Sequence, residues 1–192
     1  HEVHVPEYPL FHYQPYELAL SSKLVDMVKL YKIDVLHVHY AIPHAYAGYM
    51  AKQMLADEGI HIPMVTTLHG TDITLVGNHP FYKPAVSFSI NKSDVVTSVS
   101  QSLKDDTYRL FDIKNEIDVI PNFIELNKDK LKENIPCHRS LMAPDNEKII
   151  THISNFRKVK RIDDIVRIFF EIQKEVPSKL MMVGEGPEKE GA

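Results

Sequence analysis

The sequence predicts an α/β fold in which parallel sheets are layered with helices, arranged as two domains. Three observations carry that expectation. Short β-rich runs alternate with stretches of helical period from residue 16 onward, the pattern of parallel strands joined by crossover helices. The alternation stops over residues 124–147, where Lys, Glu, Asn and Asp crowd in with Pro136 and Pro144, and then restarts. Polar residues collect where strands end, the edge at which open α/β sheets bind ligands.

The elements follow in order. Tyr16, Leu20, Leu24, Met27, Val28 and Tyr31 share one face at helical spacing, so 16–31 is a helix. Residues 34–40 form a β-rich run. Pro43 opens a second helix that continues to about Ala56 and is closed by Gly59. Pro63 to Leu68 reads as a strand, 80–91 as a helix and 94–99 as a strand. Ser100 or Ser102 caps the next helix, which runs through Phe111. Residues 117–120 form a strand ended by Pro121 and Asn122. After the break come a strand at 148–153, a helix from Arg161 to about Glu175, and a strand from Lys179 to Val183. The expected division is a first domain over 1–123, a linker over 124–147 with room for a short helix, and a second domain over 148–192. Each sheet is expected to be covered on both faces. The chain opens without Met inside an alternating stretch and stops as a helix begins, which reads as a fragment with both domains incomplete.

Composition narrows the function. With 192 residues, 44% of them hydrophobic, the chain can bury a sizeable core. A net charge of −4 with mixed signs, and no basic aromatic stripe, argues against a nucleic-acid partner. One cysteine, Cys137, excludes an intrachain disulfide and fits a reducing, cytoplasmic compartment. No apolar run reaches the ~18 residues of a membrane span, and no secretory signal is visible. Monomer and homo-oligomer remain equally open.

The strand ends carry the candidate site. The first offers His37, His39 and Tyr40, the second Thr66, Thr67, His69, Gly70, Thr71 and Asp72, the third Ser98 and Ser100, the fourth Asn122. Taken singly, each has a plain structural reading, since turns are polar. Gly70 can serve only the turn, and Asp72 reads somewhat better as a cap than as a ligand contact. His37 and His39 point to one face of a strand, as in some metal sites. No carboxylate stands beside them to complete a ligand set, so no metal is expected, and His37 is expected to be a buried, hydrogen-bonded histidine. In the second domain Arg157, Lys158, Lys160 and Arg161 fall within five residues at a strand end and helix start. A helix N-terminus favours an anion there, not bare cations, so a phosphate is expected between them. Gly184 and Gly186, before Pro187, form a glycine turn into a helix, weak evidence alone.

Together, "HVHYAIPHAYAGYMAKQM", "TTLHGTDIT", "HISNFRKVKR" and the Val183-Gly184-x-Gly186-Pro187 turn resemble the GT-B glycosyltransferases of family 4. Within that family the resemblance is nearest to members that join N-acetylglucosamine to L-malate in bacillithiol biosynthesis, and it runs through nearly the whole chain. It implies two Rossmann-like domains, UDP-GlcNAc as donor, L-malate as acceptor, retention at the anomeric carbon and no cofactor or metal. It implies His69 as the catalytic contact to the donor sugar, projecting from its strand end. Tyr40, Thr67 and Thr71 would meet the acceptor. Asn122, Ser154, Arg157, Lys160, Gly184 and Gly186 would meet the donor. Where the broader family has Gly-Arg-Leu, this chain has Ser154-Asn155-Phe156, so the arginine role passes to Arg157. The family's N-terminal glycine-rich loop and downstream glutamate pair have no counterpart here, so the isolated chain is not expected to turn over. Three other readings stay open: a family 4 enzyme with a lipid or sugar-phosphate acceptor, a non-catalytic nucleotide-sugar module, and a metal-dependent hydrolase using His37 and His39.

Overall fold

The computed structural model describes residues 1–5, 14–77, 79–125 and 138–191. They belong to two compact units, His1–Ile124 and Glu125–Ala192. The first unit runs α1 (Tyr16–Tyr31), β1 (Leu36–His39), α2 (Tyr46–Asp57), β2 (Met64–Leu68), α3 (Lys83–Asn91), β3 (Val95–Ser98), α4 (Gln101–Leu110) and β4 (Ile117–Val119). Its sheet has the order β1-β2-β3-β4, with every pair parallel.

That order decides which face is covered. Each strand pairs with the next in sequence, and right-handed crossovers between consecutive neighbours all fall on one side of a sheet. Leu36, Met64, Leu68, Val96 and Ile117 are buried on that side. They pack with Val25 and Val28 of α1, Ala51 and Leu55 of α2, Val86 and Ile90 of α3, and Leu103 of α4. The opposite parity carries His37 and His39, both exposed, Val95 at 44% exposure and, just past β4, Ile120 at 53%. Thr67 and Thr97, at the centre of that face, are buried. Among the described residues helices therefore cover the sheet on one face, not on both as the sequence pattern suggested. For the same reason His37 is hydrogen-bonded but exposed: it stands on the open face of an edge strand.

Boundaries shift where the backbone forces them. β1 ends at His39 because Tyr40 adopts φ 76°. Helix α2 begins at Tyr46 and not at Pro43. Ile42 is held extended at φ −133°, ψ 146°, as residues before proline tend to be, so a wide turn over Ala41–Ala45 comes first. Of the two candidate caps for α4, Ser100 serves: its Oγ accepts the Leu103 N–H at 3.2 Å.

The second unit contains α5 (Arg139–Met142), β5 (Lys148–Ile153), α6 (Ile162–Glu175) and β6 (Ser178–Val183), with β5 and β6 a parallel pair. Most of the expected linker, including Cys137, lies outside the described residues. Its described end is tied down locally, since the Arg139 guanidinium donates to the carbonyls of Ala143, Pro144 and Glu147. Helix α6 starts at Ile162 because Arg161 is left-handed, at φ 53°. The loops after β5 and β6 lock together: Phe156 N–H donates to the Glu185 carbonyl at 2.8 Å, and Glu188 N–H to the Phe156 carbonyl at 3.1 Å. A Cβ on Gly184 or Gly186 would stand 1.8 Å from the Ser154 carbonyl oxygen or 2.2 Å from that of Phe156. These two glycines are required by close backbone approach.

The one-sided cover predicts unequal costs for two nearby isoleucines. Ile117→Ala should destabilise the first unit by about 2–5 kcal/mol, and Ile120→Ala by less than about 1 kcal/mol. Urea denaturation of both variants checks this; comparable losses would mean that the bare face is buried.

Candidate functional site

In the first unit the site is assembled by one carboxyl group. Asp72, 4% exposed, accepts the Ala41 N–H on Oδ2 at 2.8 Å, and the Gly70 and His69 N–H groups on Oδ1 at 2.9 and 3.3 Å. It thus joins the segment leaving β1 to the segment leaving β2. Gly70, at φ 117°, supplies the reversal that a residue with a Cβ resists. A compact turn over Thr71–Leu75 follows, anchored by Ile73 in the core, which leaves Thr71 and Thr74 at the surface. Asp72 is not a helix cap: the turn over Thr71–Leu75 has no side-chain cap, and the N–H groups the carboxyl satisfies lie before the turn and across the strand gap.

Four imidazoles converge beside this clamp. His39 Nδ1 and His69 Nε2 share a hydrogen bond at 2.8 Å, and His44 Nδ1 reaches the His39 carbonyl at 2.7 Å. His37 Nε2 lies 2.8 Å from Thr67 Oγ1, which is 2.7 Å from Thr97 Oγ1. The ring of Tyr40 lies against His69, with centroids 4.9 Å apart. Partial burial, with the neighbouring imidazoles of His37, His69 and His44, holds His39 below the ordinary histidine pKa. Among the described residues no three His, Cys, Asp or Glu side chains are grouped to hold a metal ion.

The expected acceptor residues divide between two hollows. Tyr40 and Thr71 line a pocket of about 620 Å³ with Ile42, Tyr46, Val76 and Tyr82, and among the described residues no lysine or arginine lines it. Thr67 lies in a smaller hollow of about 270 Å³ with His37, His39, Thr97 and Asn122. Its hydroxyl is engaged by His37 and Thr97. Asn122, expected with the donor contacts, belongs to this first-unit hollow at the end of β4.

In the second unit Ser154, Arg157 and Lys160 follow β5. Ser154 Oγ bonds His152 Nε2 at 2.7 Å. Lys158–Lys160 form a single tight turn before α6. Arg161 is neutralised, with Nε 2.5 Å from Asp164 Oδ2, and Asp163 and Asp164 already fill the first turn of α6. That departs from the expectation of bare cations on the helix dipole. Arg157, Lys158 and Lys160 are exposed and have no ion pair among the described residues. Gly184 and Gly186 form the adjacent loop, where their backbone role is already accounted for.

Residue-by-residue reading underrated His39, weighed only as a metal ligand, and Asp72, weighed as a local cap. The usable signal was parity: His37, His39, Thr67 and His69 share one face when β1 and β2 are paired in parallel.

Two outcomes test the clamp and the cluster. Asp72→Ala strands three N–H groups and should cost about 3 kcal/mol, with Asp72→Asn costing less because one acceptor oxygen remains; equal stability of all three proteins in urea would remove the clamp. A His39 held below its unfolded pKa means that the unfolded chain binds more protons just below pH 6.5. Stability should therefore fall as pH drops through that window. His39→Asn should flatten the fall, and an unchanged pH profile of the denaturation midpoint would count against the cluster.

Residues 1–128 match the family model described as Glycosyltransferase Family 4. The chain is 46% identical over 188 residues to N-acetyl-alpha-D-glucosaminyl L-malate synthase of Bacillus anthracis, a match covering 98% of this chain and 49% of that protein. It spans about half the length of the curated relatives it matches. Among solved structures it is similar to a glycosyltransferase from Rickettsia africae ESF-5, with TM-score 0.54, 17% identity, and 93% of this chain and 54% of that one covered. It is also similar to UDP-GlcNAc 2-epimerase from Neisseria meningitidis bound to UDP-GlcNAc, with TM-score 0.51, 16% identity, and 92% and 49% covered. These likenesses concern the fold, and they fit a partial GT-B architecture. With the family model matched over residues 1–128, two thirds of this chain, and 46% identity to the malate synthase, the chain belongs to glycosyltransferase family 4.

Proposed function

We propose that the chain is part of a retaining glycosyltransferase that moves N-acetylglucosamine from UDP-GlcNAc to L-malate, opening bacillithiol biosynthesis in the cytoplasm. The structural observation that carries the transferase reading is the run of exposed Arg157, Lys158 and Lys160 at the end of β5, without ion pairs among the described residues. Cations presented in this way suit a diphosphate. The 46% identity to the malate synthase supports the choice of donor and acceptor.

In this reading Lys160 and Arg157 neutralise the diphosphate, and no metal is required for that task. The malate hydroxyl oxygen forms the new bond to the anomeric carbon as the bond from that carbon to the phosphate oxygen breaks. The hydroxyl proton passes to the departing phosphate. His69 hydrogen-bonds the donor sugar and stabilises charge as the bond breaks. Tyr40 and Thr71 contact the acceptor from the larger pocket. Thr67, with its hydroxyl engaged, acts through its carbonyl, which accepts the Tyr40 N–H at 2.9 Å.

A second reading is favoured by that pocket. Malate carries two negative charges, and among the described residues no lysine or arginine lines the 620 Å³ hollow. Its tyrosines and aliphatic residues suit an acceptor with an apolar body, such as a lipid.

Product analysis of the full-length protein with UDP-GlcNAc and a panel of acceptors separates the two. GlcNAc-malate with the anomeric configuration of the donor is the expected product; glycosylation of a lipid acceptor alone would select the second reading. Lys160→Ala should weaken UDP binding by about 1.5–3 kcal/mol, the range for a charge-assisted hydrogen bond. Unchanged UDP affinity by calorimetry in a folded variant would remove Lys160 from the diphosphate site. His69→Ala should lower kcat roughly 10²-fold with little change in UDP affinity. Normal turnover would exclude His69 from the reaction.

A further inference from the structure

His39 has no contact assigned to either substrate, yet it is the hydrogen-bond partner of the histidine that does. Its Nδ1 lies 2.8 Å from His69 Nε2. Two imidazoles at that distance share one hydrogen, so one ring donates and the other accepts. The bond is lost if both rings carry two protons, because two N–H groups would then face each other.

The surroundings hold the pair in place. His44 Nδ1 meets the His39 carbonyl at 2.7 Å, Tyr40 packs its ring against His69, and Asp72 accepts the His69 backbone N–H. With Nε2 of His69 engaged, only its Nδ1 remains to meet a ligand.

We propose that His39 is a positioning residue for glycosyl transfer, fixing the ring plane and tautomer of His69 so that Nδ1 presents its N–H to the donor sugar. The proposal rests on the reading of His69 as the donor-sugar contact. Its logic is a relay of tautomers. If His39 carries its hydrogen on Nδ1 and gives it to His69 Nε2, a neutral His69 must carry its own hydrogen on Nδ1. That ring then offers a donor to an oxygen gaining negative charge. The reverse arrangement would offer that oxygen a lone pair. The lowered pKa of His39 favours the neutral state that the relay needs.

The position of the bonded atom makes a sharp test available. The carboxamide nitrogen of Asn occupies about the place of a histidine Nδ1, whereas that of Gln falls near Nε2. In the full-length protein His39→Ala should lower kcat roughly ten-fold while the KM for UDP-GlcNAc stays within about two-fold. His39→Asn should recover most of the loss, and His39→Gln should not. The double variant His39→Ala with His69→Ala should be no slower than His69→Ala alone. In ¹⁵N-histidine spectra of the unsubstituted protein, His69 should be protonated at Nδ1 and bare at Nε2. A folded His39→Ala with normal kcat, equal recovery by Asn and Gln, additive losses, or a His69 protonated at Nε2 would each overturn the proposal. If His69→Ala is slow and His39→Ala is not, the positioning role alone fails. If His69→Ala turns over normally, the reading of His69 fails and the positioning role fails with it.

Discussion

The carboxyl group of Asp72 joins two chain segments that the sheet alone would leave separate. β1 and β2 are neighbours, but their pairing stops at His39 and Thr67. Beyond that point the backbone at Ala41, His69 and Gly70 has no ladder to join. Three N–H groups turn instead to one buried side chain. A buried donor left without a partner costs about 1–3 kcal/mol, so the two loops can adopt these paths only while that acceptor is present. Tyr40, His69 and Thr71 all stand on the segments so held. The placement of the candidate acceptor and sugar contacts is thus a consequence of one buried carboxyl group, supported by Ile73 in the core below it.

Strand order supplies the second constraint. Because β1 to β4 pair in sequence order, the helices gather on one side, and among the described residues none covers the other parity of the strands. On the covered side that parity is Leu, Met, Val and Ile, with Thr66 and Ser98 buried among them. On the open side His37, Thr67 and Thr97 are tied in a ladder of hydrogen bonds, and His39 is bonded to His69. The imidazoles are therefore close to one another and only partly covered, which lets His39 and His69 share a hydrogen. The second unit solves a different problem. Its loop after β5 must carry exposed cations without drifting, and Phe156, 4% exposed, pins it to the glycine loop after β6 through backbone hydrogen bonds on both sides.

Much of this was legible in the sequence. Every described strand and every long helix was expected within a few residues, because hydrophobic period and helix caps are local signals. The misses were one local boundary and several non-local relations. The start of α2 shifted because Ile42 precedes a proline inside a turn that the helix must clear. The cover of the sheet was misjudged because strand order is not written in the period of any one strand. In the site, residue types at strand ends pointed to the right region, but they could not show that Thr67 and Asn122 share a hollow apart from Tyr40 and Thr71. Nor could they show that Arg161 is neutralised by Asp164. The role of His39 required the parallel pairing of β1 with β2, a contact 30 residues apart along the chain.

The most direct measurement is amide hydrogen exchange at Ala41 and Gly70, compared with the β2 amides of Thr66 and Leu68. If Asp72 is the clamp, both loop amides are protected in the native chain. Asp72→Ala should then release the two together while the β2 amides stay slow. Exchange of Ala41 and Gly70 at open-loop rates in the unsubstituted chain, or unchanged protection after Asp72→Ala, would contradict the account.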